Sequence, residues 1–233
     1  MTRRARTYAT VSAAALGLAL LRAERAAAAG PRLLVFLHTA VKQRALQDAL
    51  SDGLPGVQVS AVGRIADFER GLSEKPDAVL SLPVVLQSKR LSSALLGQRA
   101  GAVSEKYVIV GTDRAPDPGK VSAVGALDIL GRSGTNAFVS ELLGASPRVV
   151  RVTKVEDLLP LLQMRRADAI VLPARLHSAL AEASRLELLP RELPAAVGLP
   201  AVASLNSGGP ALVAAVRRLP VATAKLIGVD AWR

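Results

Sequence analysis

The chain of 233 residues has no cysteine. That excludes disulfides, thiolate metal sites, cysteine nucleophiles and a lipidated N-terminal cysteine. Aromatic residues make up only 3%, and no base-stacking or groove-reading motif occurs, so a nucleic-acid partner is not expected. There are two histidines, His38 and His177, far apart. With carboxylates scattered, no metal site is expected. No G-x-S-x-G, S-x-x-K, H-E-x-x-H, Walker loop or G-x-G-x-x-G is present, so no catalytic constellation or cofactor cradle is recognised and a non-enzyme is expected. No apolar run reaches the roughly 20 residues that a membrane-spanning helix needs.

What is present begins with a leader. Arg3, Arg4 and Arg6 precede an uncharged run from Tyr8 to Leu21, and Ala26 to Ala29 offer small-residue cleavage sites. This is the order of a secretory signal peptide, residues 1–29, cut near Ala29 and leaving a periplasmic protein. Export by the general or the twin-arginine route stays open. The formal charge is +11 for 30 basic and 19 acidic residues. Five arginines and one glutamate lie in the leader, which leaves 25 and 18, or +7. Such an excess favours anionic partners by long-range steering.

The body alternates apolar runs with amphipathic stretches. Arg32 to Leu37 reads as a strand buried on both faces. Thr39 is placed to cap a helix through about Ser51. Strands follow at 57–62 and 78–82, a helix near 91–96, and a strand at 107–110. The stretch Asp113 to Gly119, with two prolines and a glycine, breaks the pattern and reads as a linker between lobes; a long surface loop is the other reading. The alternation then restarts, with strands at 149–153 and 169–172. Pro190, Pro194, Gly198 and Pro200 form a second break before the run 201–205 and a final helix from Pro210 to Leu219. The expected architecture is α/β, with a mostly parallel sheet flanked by helices on each side of the linker.

The most informative segment runs from Ala126 to Asn136. An apolar strand ends in Gly-Arg-Ser-Gly-Thr-Asn, and a helical pattern follows. Backbone N–H groups at a helix start lack intrahelical partners, and the helix dipole adds positive potential. Arg132, Ser133, Gly134, Thr135 and Asn136 thus carry the chemistry of an anion cradle. The plainer alternative is a capped helix with Ser133 or Thr135 as N-cap. His38 follows the first strand, where open α/β sheets bind ligands; a plain polar residue at a strand end is the other reading.

In pattern, the chain resembles type II periplasmic substrate-binding proteins, and within them the phosphate/phosphonate class of ABC-transporter binding proteins. The resemblance rests on the His38-Thr39 turn, on Ser81-Leu82-Pro83 after the third strand, on Ser133-Gly134-Thr135, and on Leu161 to Val171 with its Ala167-Asp168-Ala169 step. It implies two lobes joined by crossover hinge segments, residues 30–112 with 200–233 as lobe 1 and 113–199 as lobe 2, in a monomer that holds a small anionic solute, an oxyanion such as phosphate or a phosphonate, between them. The ligands would be Thr39, Ser81, Ser133, Gly134 and Thr135, with Arg132, His38 and Asn136 beside them, and an inner-membrane permease would be the partner. A second expectation is an orphan module of the same fold that serves a sensor or assembly partner in the envelope without a transported ligand.

Overall fold

The computed structural model describes residues 30–233; the expected leader lies outside the described residues. The first lobe begins with β1 (Arg32–Phe36), α1 (Gln43–Gly53), β2 (Gln58–Val62), α2 (Ile65–Ser73), β3 (Ala78–Ser81), α3 (Pro83–Ser88) and β4 (Ser93–Gln98). The second lobe follows with β5 (Ser104–Gly111), β6 (Ala123–Leu127), α4 (Gly131–Leu143), β7 (Arg148–Val152), α5 (Leu158–Gln163), β8 (Ala169–Pro173), α6 (Ala174–Ala183) and β9 (Leu189–Gly198). The chain then returns to the first lobe as β10 (Ala201–Ser204), α7 (Gly209–Arg217), α8 (Val221–Leu226) and β11 (Ala231–Trp232).

Each lobe has its own sheet, ordered β11-β4-β10-β3-β1-β2 and β7-β6-β8-β5-β9. Parallel pairing holds the centre of each: β1 with β2 and β3, and β6 with β7 and β8. The strands that enter or leave a lobe at the crossings, β4, β5, β9 and β10, pair antiparallel. The apolar runs explain the centre. Leu33 to Phe36 and Ala78 to Leu80 are buried, since neighbouring strands and helices cover both faces.

Three expectations are corrected by strand pairing. β5 pairs with β8 and β9, so residues 104–112 belong to the second lobe. The chain crosses at residues 99–103, and Asp113–Gly119 is a loop within that lobe, closed by Gly119 N–H donating to Asp117 Oδ1 at 3.2 Å. Prolines and glycines there mark a loss of regular backbone hydrogen bonding, which says nothing of which sheet the flanking strand joins. Second, residues 93–98 form β4 rather than a helix, because both β10 and β11 pair with it; tertiary pairing overrides a helix-tolerant sequence. Third, the stretch with Pro190 and Pro194 is part of strand β9. It lies at a sheet edge, where a missing N–H costs no ladder bond on the open side.

Two covalent crossings join the lobes, and they run side by side. Ser104 pairs with Gly198, Leu199 N–H donates to Val103 O at 2.9 Å, and Gly97 N–H donates to Pro200 O at 2.8 Å. Side chains add to this tie. One apolar cluster contains Phe36, Leu37 and Leu82 of the first lobe together with Leu127, Ile129 and Leu158 of the second. A smaller one is confined to buried residues of the second lobe, around Tyr107, Ile109, Val139 and Val171. Among the described residues, no helix is long and apolar enough to cross a membrane.

Candidate functional site

The carboxyl ends of β1, β2 and β7 meet at the seam between the lobes, the position where open α/β sheets take ligands. A cavity of about 520 Å³ lies there. The first lobe supplies His38, Thr39, Lys42, Gln43, Arg64 and Asp67, and the second supplies Thr153, Lys154 and Glu156. Arg64 is already committed: its Nε donates to Asp67 Oδ2 at 2.6 Å, and a second guanidinium nitrogen to Oδ1 at 3.2 Å. That pair depresses the Asp67 carboxyl, through the Arg64 hydrogen bond first. With Arg64 and Asp67 cancelling, Lys42 and Lys154 remain in the lining against the single carboxylate of Glu156.

His38 sits in the wall of this cavity. Its ring meets Phe36 edge-on, 5.3 Å between centroids, and its Nε2 is buried without a hydrogen bond. Burial lowers its pKa to about 4; Asp128 opposes the shift and Arg175 adds to it. At neutral pH the ring is therefore uncharged. Thr39 also lines the cavity, but its hydroxyl donates to Val41 O at 3.0 Å. It does not cap α1, which starts after Lys42 without a side-chain cap.

The other expected ligand residues stand elsewhere. Ser81 is fully buried and donates to Phe36 O at 2.8 Å, fastening β3 to β1. Thr135 is fully buried too. Its hydroxyl donates to Asp128 Oδ1 at 2.9 Å and accepts the Leu130 N–H at 3.0 Å. Asp128 in turn takes Arg151 at 2.7 Å through its other oxygen. The Thr135 hydroxyl is thus claimed by the chain's own carboxylate, and Thr135 works from the fifth residue of α4 rather than at the N-cap. A Cβ on Gly134 would lie 2.7 Å from the Leu130 Cβ, so its bareness admits Leu130. Arg132, Ser133 and Asn136 are exposed, and none of these turn residues lines the cavity.

Arg175 was missed at the sequence level. It is buried at the second position of α6, 3.3 Å from Glu105 on β5. Burial raises the Glu105 carboxyl, while Arg175 opposes the rise. The signal existed: Arg175 follows the apolar strand β8 at its carboxyl end, the same rule that singled out His38. Lys42, Gln43, Arg64, Lys154 and Glu156 gave no such signal, since charged residues in short loops are usually plain surface. Asp168 is structural. It accepts Ser122 N–H, Ser122 Oγ–H and Ala123 N–H at 2.9, 2.7 and 2.9 Å, which lowers its pKa and pins β8 to the start of β6. Among the described residues, no three His, Asp or Glu side chains are grouped to hold a metal ion.

This two-lobed arrangement is the fold of periplasmic substrate-binding proteins and Venus-flytrap type domains. It is similar to arginine-bound ArgBP from T. maritima, as a Gly52Ala mutant, with a TM-score of 0.54 at 17% identity over 79% of this chain and 92% of that one. It is likewise similar to a Xanthomonas citri protein bound to ATP, with a TM-score of 0.58 at 12% identity over 88% and 91%. The periplasmic VFT2 domain of Bordetella pertussis BvgS gives a TM-score of 0.53 at 15% identity over 89% and 96%. No protein-family model and no curated protein matches the sequence.

Proposed function

We propose that the chain is an exported solute-binding protein that takes a small oxyanion, phosphate or phosphonate-like, into the seam cavity and delivers it to an inner-membrane importer. One observation carries this reading: Lys42 and Lys154 line a single cavity from opposite lobes. An anion between them would tie the lobes together, and one lobe alone offers only half the charge. The neutral His38 ring and the Gln43 amide add hydrogen-bonding groups without adding charge. The solved structures of the same fold include ArgBP bound to arginine and a protein bound to ATP, which supports a small-ligand role.

The decisive experiment is thermal unfolding of the purified protein against phosphate, phosphite, sulfate and methylphosphonate. A ligand confined to the native state adds about 2.7 kcal/mol of stability at 100 times its dissociation constant. One of these anions should raise Tm, and Lys42→Ala with Lys154→Ala should abolish the rise. A flat response to all four overturns the oxyanion reading.

A second reading is favoured by the apolar seam. Phe36, Leu37, Leu127 and Ile129 join one core across the lobes, so the two lobes hold together without a ligand. That suits a domain signalling through a protein partner in the envelope. In that case the anions leave Tm unchanged, and a membrane-bound partner is recovered by cross-linking in the native envelope.

A further inference from the structure

On the far side of the 38–42 turn, a separate pocket of about 300 Å³ opens beside the first crossing segment. Its walls come from both lobes. Arg175 and Leu176 belong to the second, whereas Arg99, Lys225, Gly228 and Asp230 belong to the first lobe or its edge. Leu176 and Arg175 stand in the first turn of α6, ten residues long, whose N-cap is Pro173 and which has no side-chain cap. Its opening N–H groups are therefore unclaimed by any cap, at the positive end of the helix dipole.

Arg175 supplies an independent indication. Its side chain is only 7% exposed. Its Nε lies 3.3 Å from Glu105 Oε1 but makes no hydrogen bond, and Glu105 Oε2 likewise has none. Among the described residues its terminal guanidinium nitrogens make no hydrogen bond either. The Nε–H of this cation is thus a buried donor without an acceptor, which is costly. Gly228 explains how it reaches the pocket. A Cβ there would lie 2.5 Å from Arg175 Nε, so the bare backbone of the first lobe makes room for a side chain of the second.

The charges add up in favour of an anion. Arg99, Arg175 and Lys225 bring three positive charges, and Asp230 and Glu105 two negative ones. Asp230 is partly occupied, because its Oδ2 accepts the Ala100 N–H at 3.0 Å. Glu105 is turned to Arg175 from β5.

We propose that this pocket is a second anion site, which takes a small oxyanion of the phosphate or sulfate type between Arg175, the α6 N-terminus, Arg99 and Lys225. Because its walls belong to both lobes, occupancy strengthens their closure. The site is independent of the cavity lined by Lys42 and Lys154, and each can fail without the other.

The test is a titration of the isotopically labelled protein with inorganic phosphate and, separately, sulfate, followed by the backbone amide resonances of Arg175, Leu176 and Gly228. Sodium chloride at matched ionic strength serves as the control. These amides should shift saturably with the oxyanion and not with chloride. Arg99→Ala with Lys225→Ala, both exposed and so safe for the fold, should weaken the response at least about tenfold. Lys42→Ala with Lys154→Ala should leave it unchanged. Equal shifts with chloride, no shift at millimolar oxyanion, or an undiminished response in the Arg99/Lys225 variant would each overturn the proposal.

Discussion

Thr135 reaches back across the first turn of α4 to donate its hydroxyl to Asp128 Oδ1 at 2.9 Å, and its Oγ1 accepts the Leu130 N–H. An anion cradle at a helix start needs unclaimed donors. Here the buried Thr135 hydroxyl is claimed by the protein's own carboxylate, which Arg151 neutralises at 2.7 Å. Removing the Thr135 hydroxyl leaves Leu130 N–H and Asp128 each one bond short in a buried place. Thr135→Val should therefore cost about 1–3 kcal/mol, read by urea unfolding, while Thr135→Ser should recover most of it. If Thr135→Val matched the wild type in midpoint, the hydroxyl would have no structural role.

The Asp128–Arg151 pair is half-buried, with the two side chains 15% and 23% exposed. Asp128→Asn would strand the Arg151 guanidinium and weaken the Thr135 bond. A loss of about 1–3 kcal/mol is expected, larger than for an exposed pair. A double-mutant cycle with Arg151→Met measures the coupling, which should vanish if the pair were merely a surface contact.

His38 makes stability depend on pH in a known direction. Its pKa is about 4 when folded, against 6.5 for the free side chain. The unfolded chain thus binds a proton that the folded one refuses between those values. Stability from this group is complete above about pH 6.5 and declines as pH falls towards 4, by at most about 1.4 kcal/mol per pH unit. His38→Gln should flatten the slope of unfolding free energy in that window. Asp67, Asp117 and Asp168, all with lowered pKa values, act only at more acid pH, so the two regimes separate.

Gly228 has φ of +81°, and its open face is filled by Arg175. Gly228→Ala strains the backbone and displaces the guanidinium from its place beside Glu105. A destabilisation of at least about 1 kcal/mol is expected in chemical denaturation. A neutral effect would mean that Arg175 moves away freely.

Asp168 caps the amino end of β6 with three hydrogen bonds. Asp168→Ala should lower stability by about 1 kcal/mol, since solvent screens this exposed carboxylate, and should leave anion binding intact. A lost ligand response with unchanged stability would move Asp168 into the binding machinery.

The apolar runs Leu33 to Phe36, Ala78 to Leu80 and Ala169 to Leu172 identify buried strands by themselves, because a strand covered on both faces cannot afford alternation. The α/β alternation follows from the same local signals, whereas the return to the first lobe is decided by β10 pairing with β3 and β4. Hydrogen-bond partners distant in sequence decided the rest. β5 entered the second sheet because β8 and β9 pair with it; β4 became a strand because β10 and β11 do. In the sequence the hydroxyls of Ser81 and Thr135 look like free donors, and Phe36 O and Asp128 claim them only once the chain is folded. Lys42 and Lys154 looked like ordinary loop charges until the seam set them around one cavity. Residue type and local pattern fix which segments must be buried, whereas the sites between the lobes depend on where separate segments meet.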